Sequence, residues 1–160
     1  MEINPYIFRG YDLRGEVDKD LNPEIAEFLG KSYGTFLNKR GIKKVVVGHD
    51  CRLTGESYSD AAIKGILNTG ADVIDIGLSL AGIVYWAQYY LDAPGCVLVS
   101  ASHNPAQYNG FKFGTGFSST MVGDEIQELR QIAEKGEFAQ GAGKLEKKDI
   151  IKEYFDDLIK

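Results

Sequence analysis

Apolar positions along this chain alternate between the period of a strand and the period of a helix. Short β-branched runs at residues 45–47, 73–76 and 96–99 are typical of buried strands. Segments with apolar residues three and four positions apart flank these runs and predict helices. The predicted helices lie at 22–40, 56–69, 81–91, 124–135 and 148–159. The alternation predicts a three-layer α/β/α domain with a mixed, mostly parallel sheet.

Two further segments predict the antiparallel part of the sheet. Residues 6–18 combine short apolar runs with two glycines, which predicts a strand, a turn and a second strand. The dipeptide Asn109-Gly110 predicts another turn before residues 111–113. In that short strand, period-two alternation places Lys112 on the face opposite the two phenylalanines.

The helices and their connections carry further signals. Asn22-Pro23-Glu24 supplies an N-cap, a first-turn proline and a first-turn acid at one helix start. The helix at 81–91 carries four aromatic residues, whose helical spacing favours core packing over a ligand platform. Residues 136–144 are rich in glycine and predict a flexible connection.

Length and composition bound the domain organisation. At 160 residues with 44% hydrophobic residues, the chain is long enough for one domain with its own core. The last predicted helix, at 148–159, carries an apolar stripe of Ile151, Tyr154, Phe155 and Leu158. We expect the apolar stripe of this last helix to pack back on the domain, pair with another copy or fray.

Charge and hydropathy argue against nucleic-acid and membrane partners, and the cysteines bear on the redox compartment. A net charge of −5 and the lack of a basic patch argue against nucleic-acid binding. No apolar run reaches membrane-spanning length and the N-terminus has no signal-peptide pattern, so we expect no membrane partner and a cytoplasmic location. Cys51 and Cys96 lack metal-type spacing, which favours two buried or partly buried thiols in a reducing cytosol.

The polar residues after the third buried strand are the strongest candidates for chemistry. Residues 100–105, Ser-Ala-Ser-His-Asn-Pro, follow that strand directly. Open α/β sheets bind ligands at the carboxyl ends of their strands. We therefore expect Ser102, His103 and Asn104 to lie in a site, with the ammonium group of Lys112 nearby.

Four motifs, in order along nearly the whole chain, resemble those of the α-D-phosphohexomutases. The motifs are Phe-Arg-Gly-Tyr-Asp-Leu-Arg-Gly at 8–15, Gly-His-Asp-Cys-Arg at 48–52, Asp-Ile-Gly-Leu at 75–78, and the serine segment 100–105 followed by Asn-Gly-Phe-Lys at 109–112. The first is similar to the N-terminal motif of the phosphomannomutase/phosphoglucomutase branch. The chain departs from the family at 79–82, where relatives usually have a Pro-Thr-Pro-like segment.

The resemblance implies an enzyme that interconverts hexose 1-phosphate and hexose 6-phosphate, with glucose or mannose as the hexose. In the family, the serine matching Ser102 carries a phosphoryl group and a hexose 1,6-bisphosphate is the intermediate. The family also implies Mg²⁺, bound by an oxygen of that phosphoserine and by aspartates of a later domain. This chain would be the first of four domains, partnered by the remaining three and inactive when isolated. Residues 1–145 would form that first domain, and residues 146–160 a helix that leads toward the second. Ser100 also fits the phosphoglucosamine mutase branch, which stays an alternative.

The same resemblance assigns roles to individual residues. Two cations, Arg14 and Lys112, would stabilise charge at the phosphoryl group, and Lys112 would also transfer a proton. His103 and Asn104 would shape the site and contact substrate. Arg9 would bind phosphate, because a guanidinium group suits phosphate oxygens. The expected catalytic residues are Ser102, His103, Lys112 and Arg14; the expected substrate- and phosphate-binding residues are Tyr11, Arg9 and Asn104; and the expected metal ligand is Ser102 through its phosphate.

Two other functions remain open from the residues alone. A serine hydrolase is disfavoured, because Ser102 and His103 are adjacent and the chain has no Gly-x-Ser-x-Gly elbow. A non-catalytic module that binds a sugar phosphate is the second alternative. In the segment at 48–52, His49 has two interpretations: a catalytic base, or the more common loop histidine that is hydrogen-bonded or exposed. We expect Asp50 and Arg52 there to form a structural ion pair.

Overall fold

The sheet of this protein lies between two layers of helices. The computed structural model describes residues 3–160. The strands are Leu13–Glu16 (β1), Lys44–His49 (β2), Asp72–Leu78 (β3), Gly95–Val99 (β4), Tyr108–Gly116 (β5), Ser119–Thr120 (β6) and Leu145–Lys147 (β7). The α-helices are Pro23–Asn38 (α1), Gly55–Leu67 (α2), Ala81–Tyr90 (α3), Asp124–Lys135 (α4) and Ile151–Leu158 (α5). This arrangement confirms the predicted three-layer α/β/α fold.

Six of the seven described strands run in the same direction. The order across the sheet is β1-β5-β4-β2-β3-β7, and β6 also pairs with β5. β4, β2, β3 and β7 pair in parallel, whereas β5 is antiparallel to β1, β4 and β6. β5 is therefore the one reversed strand of residues 3–160. This direction pattern agrees with the predicted mixed, mostly parallel sheet.

Two hydrophobic cores flank the sheet. On one face, α1, α2 and α4 bury side chains such as Leu29, Ala62 and Leu129 against the strands. On the other face, α3 and the residue just before α5 bury side chains such as Val84 and Ile150. The inner strands are apolar on both sides because each side faces a helix layer. All five residues of β4 are buried, and the predicted apolar runs therefore mark the centre of the sheet.

The prediction for residues 6–18 is wrong in its first half. Pro5–Ile7 forms a short 3₁₀ helix, and only an isolated bridge between Phe8 and Leu13 precedes β1. The side-chain oxygen of Asn4 caps this 3₁₀ helix by accepting a hydrogen bond from the Tyr6 N–H. Because Pro5 has no N–H to give to a strand, the local capping interaction prevails over strand pairing here.

The predicted turn at Asn109-Gly110 is also wrong, since both residues lie inside β5. Gly110 pairs with Arg14 of β1, and a Cβ atom there would lie only 2.2 Å from the Leu13 carbonyl oxygen. The glycine therefore allows two strands to approach closely instead of allowing a turn. Asn109 is fully buried and donates a hydrogen bond from its amide to the Thr54 hydroxyl at 2.9 Å.

The glycine-rich segment 136–144 is held against the domain, contrary to the predicted flexible connection. The Gly141 N–H donates to the Asn68 carbonyl at 3.0 Å. A Cβ atom at Gly143 would lie 1.9 Å from the Ala71 carbonyl oxygen. The glycines thus let this segment run along the end of α2 before it enters β7, a strand that periodicity did not predict.

The last helix packs only partly on the domain. Tyr154 contacts Trp86 of α3 edge-to-face, with ring centroids 5.4 Å apart, and the Trp86 indole N–H donates to Asp157 at 2.8 Å. Phe155 and Leu158 of the same stripe remain exposed. Of the three outcomes expected for this stripe, the structure shows packing back on the domain, through part of the stripe.

The aromatic residues of α3 divide between core and surface. Tyr85 and Trp86 pack against the second hydrophobic core, as predicted. Tyr89 and Tyr90 are exposed, because the short helix α5 covers only part of α3. Core packing is therefore the correct interpretation for two of these four residues and the wrong one for the other two. No helix within residues 3–160 has the length and apolar character needed to cross a membrane.

The two cysteines have different environments. Cys96 is buried in β4, and burial raises the pKa of its thiol to about 12. Cys51 is an exposed free thiol, which corrects the expectation of two buried or partly buried cysteines. The difference follows from their positions, since Cys96 lies within a central strand and Cys51 lies in the loop between β2 and α2.

Helices α1 and α2 approach closely at two glycines. A Cβ atom added at Gly30 would lie 2.2 Å from the Ala62 carbonyl oxygen, and one added at Gly65 would lie 2.1 Å from that of Glu27. Real side chains do not approach a backbone oxygen so closely. Each glycine therefore allows its helix to rest on the backbone of the other.

Gly30→Ala should lower the free energy of unfolding by about 1–3 kcal/mol, because the added methyl group must push α1 away from α2. Urea denaturation of the purified chain measures this change. Gly82→Ala is the matched control in α3, where the added Cβ would meet only the Tyr154 hydroxyl at 3.9 Å. The control should be neutral or stabilising by up to about 1 kcal/mol. Equal losses in the two variants would contradict this account of helix packing.

Candidate functional site

The loop between β4 and β5, residues 100–107, is called the serine loop below. It leaves the carboxyl end of β4, as expected. Ser102, the third residue of this loop, is exposed and has φ at +53°. The Ser102 N–H donates to the Ser100 hydroxyl at 2.9 Å. A serine rarely adopts this left-handed conformation, which persists where surrounding contacts hold it and is frequent at functional sites.

Arg52 supplies most of the contacts that hold the serine loop. Its Nη1 donates to the carbonyl oxygens of Pro105 and Tyr108, each at 2.9 Å. Its Nη2 donates to the carbonyl oxygens of Ser102 at 3.0 Å and Asn104 at 2.7 Å. One guanidinium group thus satisfies four backbone carbonyls on and beside the loop.

Asp50 orients this arginine. Its carboxylate lies 3.3 Å from Arg52 Nε and accepts a hydrogen bond from the Arg52 backbone N–H at 3.1 Å. The predicted Asp50–Arg52 ion pair is therefore confirmed. Sequence reasoning missed the contacts of Arg52 with the serine loop, because the accepting carbonyls belong to residues 50 to 56 positions away. The match of residues 48–52 to a family motif was the only signal at this position.

A second arginine reaches the serine loop from β1. Arg14 Nε and Nη2 each lie 2.7 Å from a carboxylate oxygen of Asp12, and Nη1 donates to the Asn104 side-chain oxygen at 2.6 Å. Asp12 is buried and Arg14 is nearly so, which makes this pair part of the framework of the site. Asn104 therefore joins the two arginines, one through its side chain and the other through its carbonyl group.

Lys112 lies in β5 on the same face of the sheet as Arg14. Arg14 is opposite Gly110 in the β1–β5 pairing, and Lys112 is two residues further along β5. Side chains in such a diagonal relationship are about 7–8 Å apart at their Cα atoms. Lys112 Nζ also lies 5.6 Å from the centre of the exposed Tyr11 ring, a cation–π geometry. The structure thus brings these residues to the edge of the sheet that carries Ser102.

The remaining predicted residues lie at the margin of this surface. His103 follows Ser102 in the loop and is exposed. Arg9 is exposed on the turn before β1, where its backbone N–H donates to the Asp12 carbonyl at 2.9 Å. His49 lies at the end of β2 with Nδ1 2.9 Å from the Asp50 carbonyl oxygen, in agreement with a hydrogen-bonding histidine.

The chemistry available at this edge is that of phosphate binding and transfer. An exposed hydroxyl is held on a loop of defined conformation, and cationic side chains approach the same edge from two neighbouring strands. Arginine and lysine are the side chains that proteins use for phosphate oxygens. A separate cavity of 460 Å³ lies at the ends of β2 and β3. His49, Ser59 and Asp75 are among its lining residues, which include neither Arg14 nor Lys112 nor any residue of the serine loop.

Known proteins resemble this chain closely. Residues 5–140 match the family described as phosphoglucomutase/phosphomannomutase, alpha/beta/alpha domain I. A phosphomannomutase from Vibrio cholerae is 41% identical over 157 residues, which cover 95% of this chain and 34% of that protein. A phosphomannomutase from Klebsiella pneumoniae is 40% identical over 93% of this chain and 96% of its own length.

The fold comparison agrees with the sequence comparison. The crystal structure of a phosphoglucomutase/phosphomannomutase family protein from Burkholderia thailandensis superposes with a TM-score of 0.93 and 31% identity. The superposition covers 99% of this chain and 36% of that protein. The chain therefore spans about a third of the length of the Vibrio and Burkholderia proteins and nearly all of the Klebsiella sequence.

Asp12→Ala should lower the free energy of unfolding by about 3–5 kcal/mol, because it leaves the nearly buried Arg14 guanidinium without its charged partner. Urea denaturation measures this loss. Glu134→Ala is the control, since it removes the carboxylate of an exposed pair with Arg130 at 2.7 Å. That pair should contribute about 0–1 kcal/mol. Similar losses in both variants would show that the Asp12–Arg14 pair does not support the site.

Proposed function

This chain belongs to the phosphoglucomutase/phosphomannomutase family, and we propose that it is the first domain of an enzyme that interconverts hexose 1-phosphate and hexose 6-phosphate. Glucose and mannose are the proposed hexoses. One observation carries the proposal: Ser102 is exposed in a restrained left-handed conformation on a loop that Arg14 contacts, with Lys112 on the same face of the sheet. The names of the relatives, phosphomannomutases and phosphoglucomutase/phosphomannomutases, support glucose and mannose over the glucosamine branch.

In the proposed reaction, Ser102 carries a phosphoryl group between turnovers. The bond between phosphorus and Ser102 Oγ breaks as a hydroxyl oxygen of the hexose monophosphate bonds to phosphorus. The hydroxyl proton leaves to a base, and Ser102 Oγ takes up a proton. The hexose 1,6-bisphosphate then reorients, and its other phosphoryl group returns to Ser102 Oγ by the reverse exchange. Phosphoryl transfer of this kind depends chiefly on positioning and charge stabilisation.

The cations near Ser102 fit these needs. A phosphoserine carries about −1.5 to −2 charges at neutral pH. Arg14 supplies a permanent positive charge that Asp12 and Asn104 hold in place. Lys112 supplies a second charge and is the proposed proton carrier, because an ammonium group exchanges protons more readily than a guanidinium.

The exposed residues around Ser102 are proposed to contact the substrate. His103, which follows Ser102 in the loop and is exposed, is proposed to lie beside the phosphoryl group. The Tyr11 ring lies 5.6 Å from the Lys112 ammonium, and we propose that this exposed ring faces the sugar. Arg9 is exposed on the adjoining turn and is proposed to bind the phosphate of the substrate. The Asn104 side chain is held by Arg14, so we assign it chiefly to shaping the loop.

Mg²⁺ is part of the same proposal. Mg²⁺ prefers hard oxygen ligands in octahedral geometry. Within residues 3–160, no group of three or more His, Cys, Asp or Glu side chains is arranged to hold a metal ion. Carbonyl oxygens on and beside the serine loop accept hydrogen bonds from Arg52 instead. We therefore propose that this part of the chain would hold the ion through phosphate oxygens on Ser102. Bound there, the ion would neutralise charge on the transferring group.

The rest of the enzyme completes this proposal. Residues 1–145 are proposed as the first domain, and residues 146–160 as the helical segment that leads to the second. The coverage of about a third of the Vibrio relative supports further domains, which we propose to number three. A cytoplasmic location is proposed because both cysteines are unpaired, as is usual in a reducing compartment.

In the complete enzyme, Ser102→Ala should abolish the conversion of glucose 1-phosphate and mannose 1-phosphate. Intact-mass measurement with peptide mapping should find one phosphate on Ser102 of the parent enzyme and none on the variant. Ser118→Ala is the matched control, because Ser118 is also an exposed serine with a positive φ, +51°. The control should keep both the phosphate and full turnover. A stoichiometric phosphate on another serine, with Ser102 unmodified, would refute the assignment.

The isolated 160-residue chain should unfold cooperatively on heating but show no mutase turnover. Cooperativity is expected because both hydrophobic cores rest on one continuous sheet. Inactivity is expected because the proposal assigns the other metal ligands and the sugar-selecting residues to later domains. Calorimetry and a coupled assay, with the complete enzyme at equal concentration as control, measure the two properties. Turnover by the isolated chain would contradict the division of the site, and a non-cooperative melt would contradict the domain boundary.

A further inference from the structure

The Arg52 guanidinium has a defined task in the site. We infer that Arg52 is a positioning residue for phosphoryl transfer, which fixes the backbone of the serine loop so that the Ser102 hydroxyl is held in one orientation. The inference deepens the proposed mutase function and rests on it. It assigns Arg52 no contact with substrate or with the transferring phosphoryl group.

The two terminal nitrogens of Arg52 are already used within the chain, and its Nε is buried without a hydrogen bond. Its two terminal nitrogens make four hydrogen bonds of 2.7–3.0 Å, all to backbone carbonyl oxygens at positions 102, 104, 105 and 108. Its Nε faces the Asp50 carboxylate at 3.3 Å, and the side chain is only 12% exposed. A phosphate group could bind Arg52 only if these bonds were broken. The geometry therefore favours positioning over direct phosphate binding.

The contacts act directly on the backbone of Ser102. Its carbonyl oxygen accepts a hydrogen bond from Arg52, and its N–H donates to the Ser100 hydroxyl. Both polar backbone groups of a residue with φ at +53° are thus restrained. Without the Arg52 contact, Ser102 would relax toward the conformations that serine ordinarily adopts, and its hydroxyl would move.

Arg52 is itself anchored to the strand that carries the loop. The Asp50 N–H donates to the Val99 carbonyl oxygen at 3.0 Å, at the last residue of β4. Asp50 in turn holds the Arg52 side chain and its backbone N–H. Arg52 is therefore anchored to the end of β4 through Asp50, and its guanidinium group is held by carbonyl acceptors on and beside the loop.

The same contacts couple Arg52 to the predicted catalytic cation Arg14. Asn104 accepts a hydrogen bond from Arg52 at its carbonyl oxygen and one from Arg14 at its side chain. A displaced Asn104 would therefore remove the Nη1 contact of Arg14, although the ion pair with Asp12 would remain. Arg52 therefore helps to set the position of Arg14 relative to Ser102 through Asn104.

The test is Arg52→Lys in the complete enzyme. Lysine keeps the positive charge but presents one compact ammonium group, which cannot reach four carbonyls as a planar fork does. A displacement of about 1 Å at a reacting group costs about 100-fold in rate. We therefore expect kcat to fall about 100-fold while KM for glucose 1-phosphate stays close to that of the parent enzyme. Arg130→Lys, at an exposed arginine of α4, is the control and should change neither constant.

A second measurement follows the loop itself. In the 160-residue chain, hydrogen exchange of the Ser102, Asn104 and Tyr108 amides should become faster in Arg52→Lys, while the β4 amides stay protected. Arg52→Gln, which is uncharged and has two donors, serves as a second variant and should show the same pattern. Protected β4 amides establish that a variant is folded.

The outcomes separate this inference from the proposed function. Parent-like kcat in a folded Arg52→Lys enzyme, or parent-like loop exchange, would overturn the positioning role. A raised KM with unchanged kcat would also overturn it, because it would indicate contact with substrate. If the parent enzyme converts no hexose phosphate, the proposed function fails, whereas the exchange measurement still decides whether Arg52 fixes the loop.

Discussion

The candidate site depends on one set of hydrogen bonds, those that the Arg52 guanidinium donates to backbone carbonyls on and beside the serine loop. A loop beyond the last ladder bond of a strand has carbonyl groups that neither helix nor sheet satisfies. Arg52 donates to three such carbonyls here, and to that of Tyr108 at the start of β5, because its donors lie in a rigid planar fork. The loop can therefore hold Ser102 in a conformation that its own sequence does not favour.

The reversed direction of β5 places the other cations at the same edge. Because β5 runs back from the serine loop, its first residues lie next to the loop that leaves β4. β1 pairs with those same residues, so Arg14 reaches Asn104 from the side. Lys112 shares the face of Arg14 because strand residues two positions apart point the same way. The antiparallel part of the sheet thus determines which cations meet the serine.

The two helix layers differ in how completely they cover the sheet. α1, α2 and α4 enclose a continuous core with close helix contacts at Gly30 and Gly65. On the other side, none of the residues of α5 is buried, and Tyr89 and Tyr90 of α3 stay exposed. Burial of apolar area is the main source of folding stability. The stability of this chain therefore comes chiefly from the first layer, which also supports β4 and β5 beneath the site.

The sequence by itself determined the features that depend on neighbouring residues. The apolar runs located β2, β3 and β4, the Asn22-Pro23 pair located the start of α1, and the polar segment after β4 located the serine loop. Only the tertiary structure decided that Asn109-Gly110 continues a strand and that Arg52 holds the serine loop. Both outcomes depend on groups distant in the chain: the Leu13 carbonyl that excludes a side chain at Gly110, and the carbonyls 50 to 56 positions from Arg52. Local propensity cannot register such contacts, because they form only when the sheet brings separate segments together.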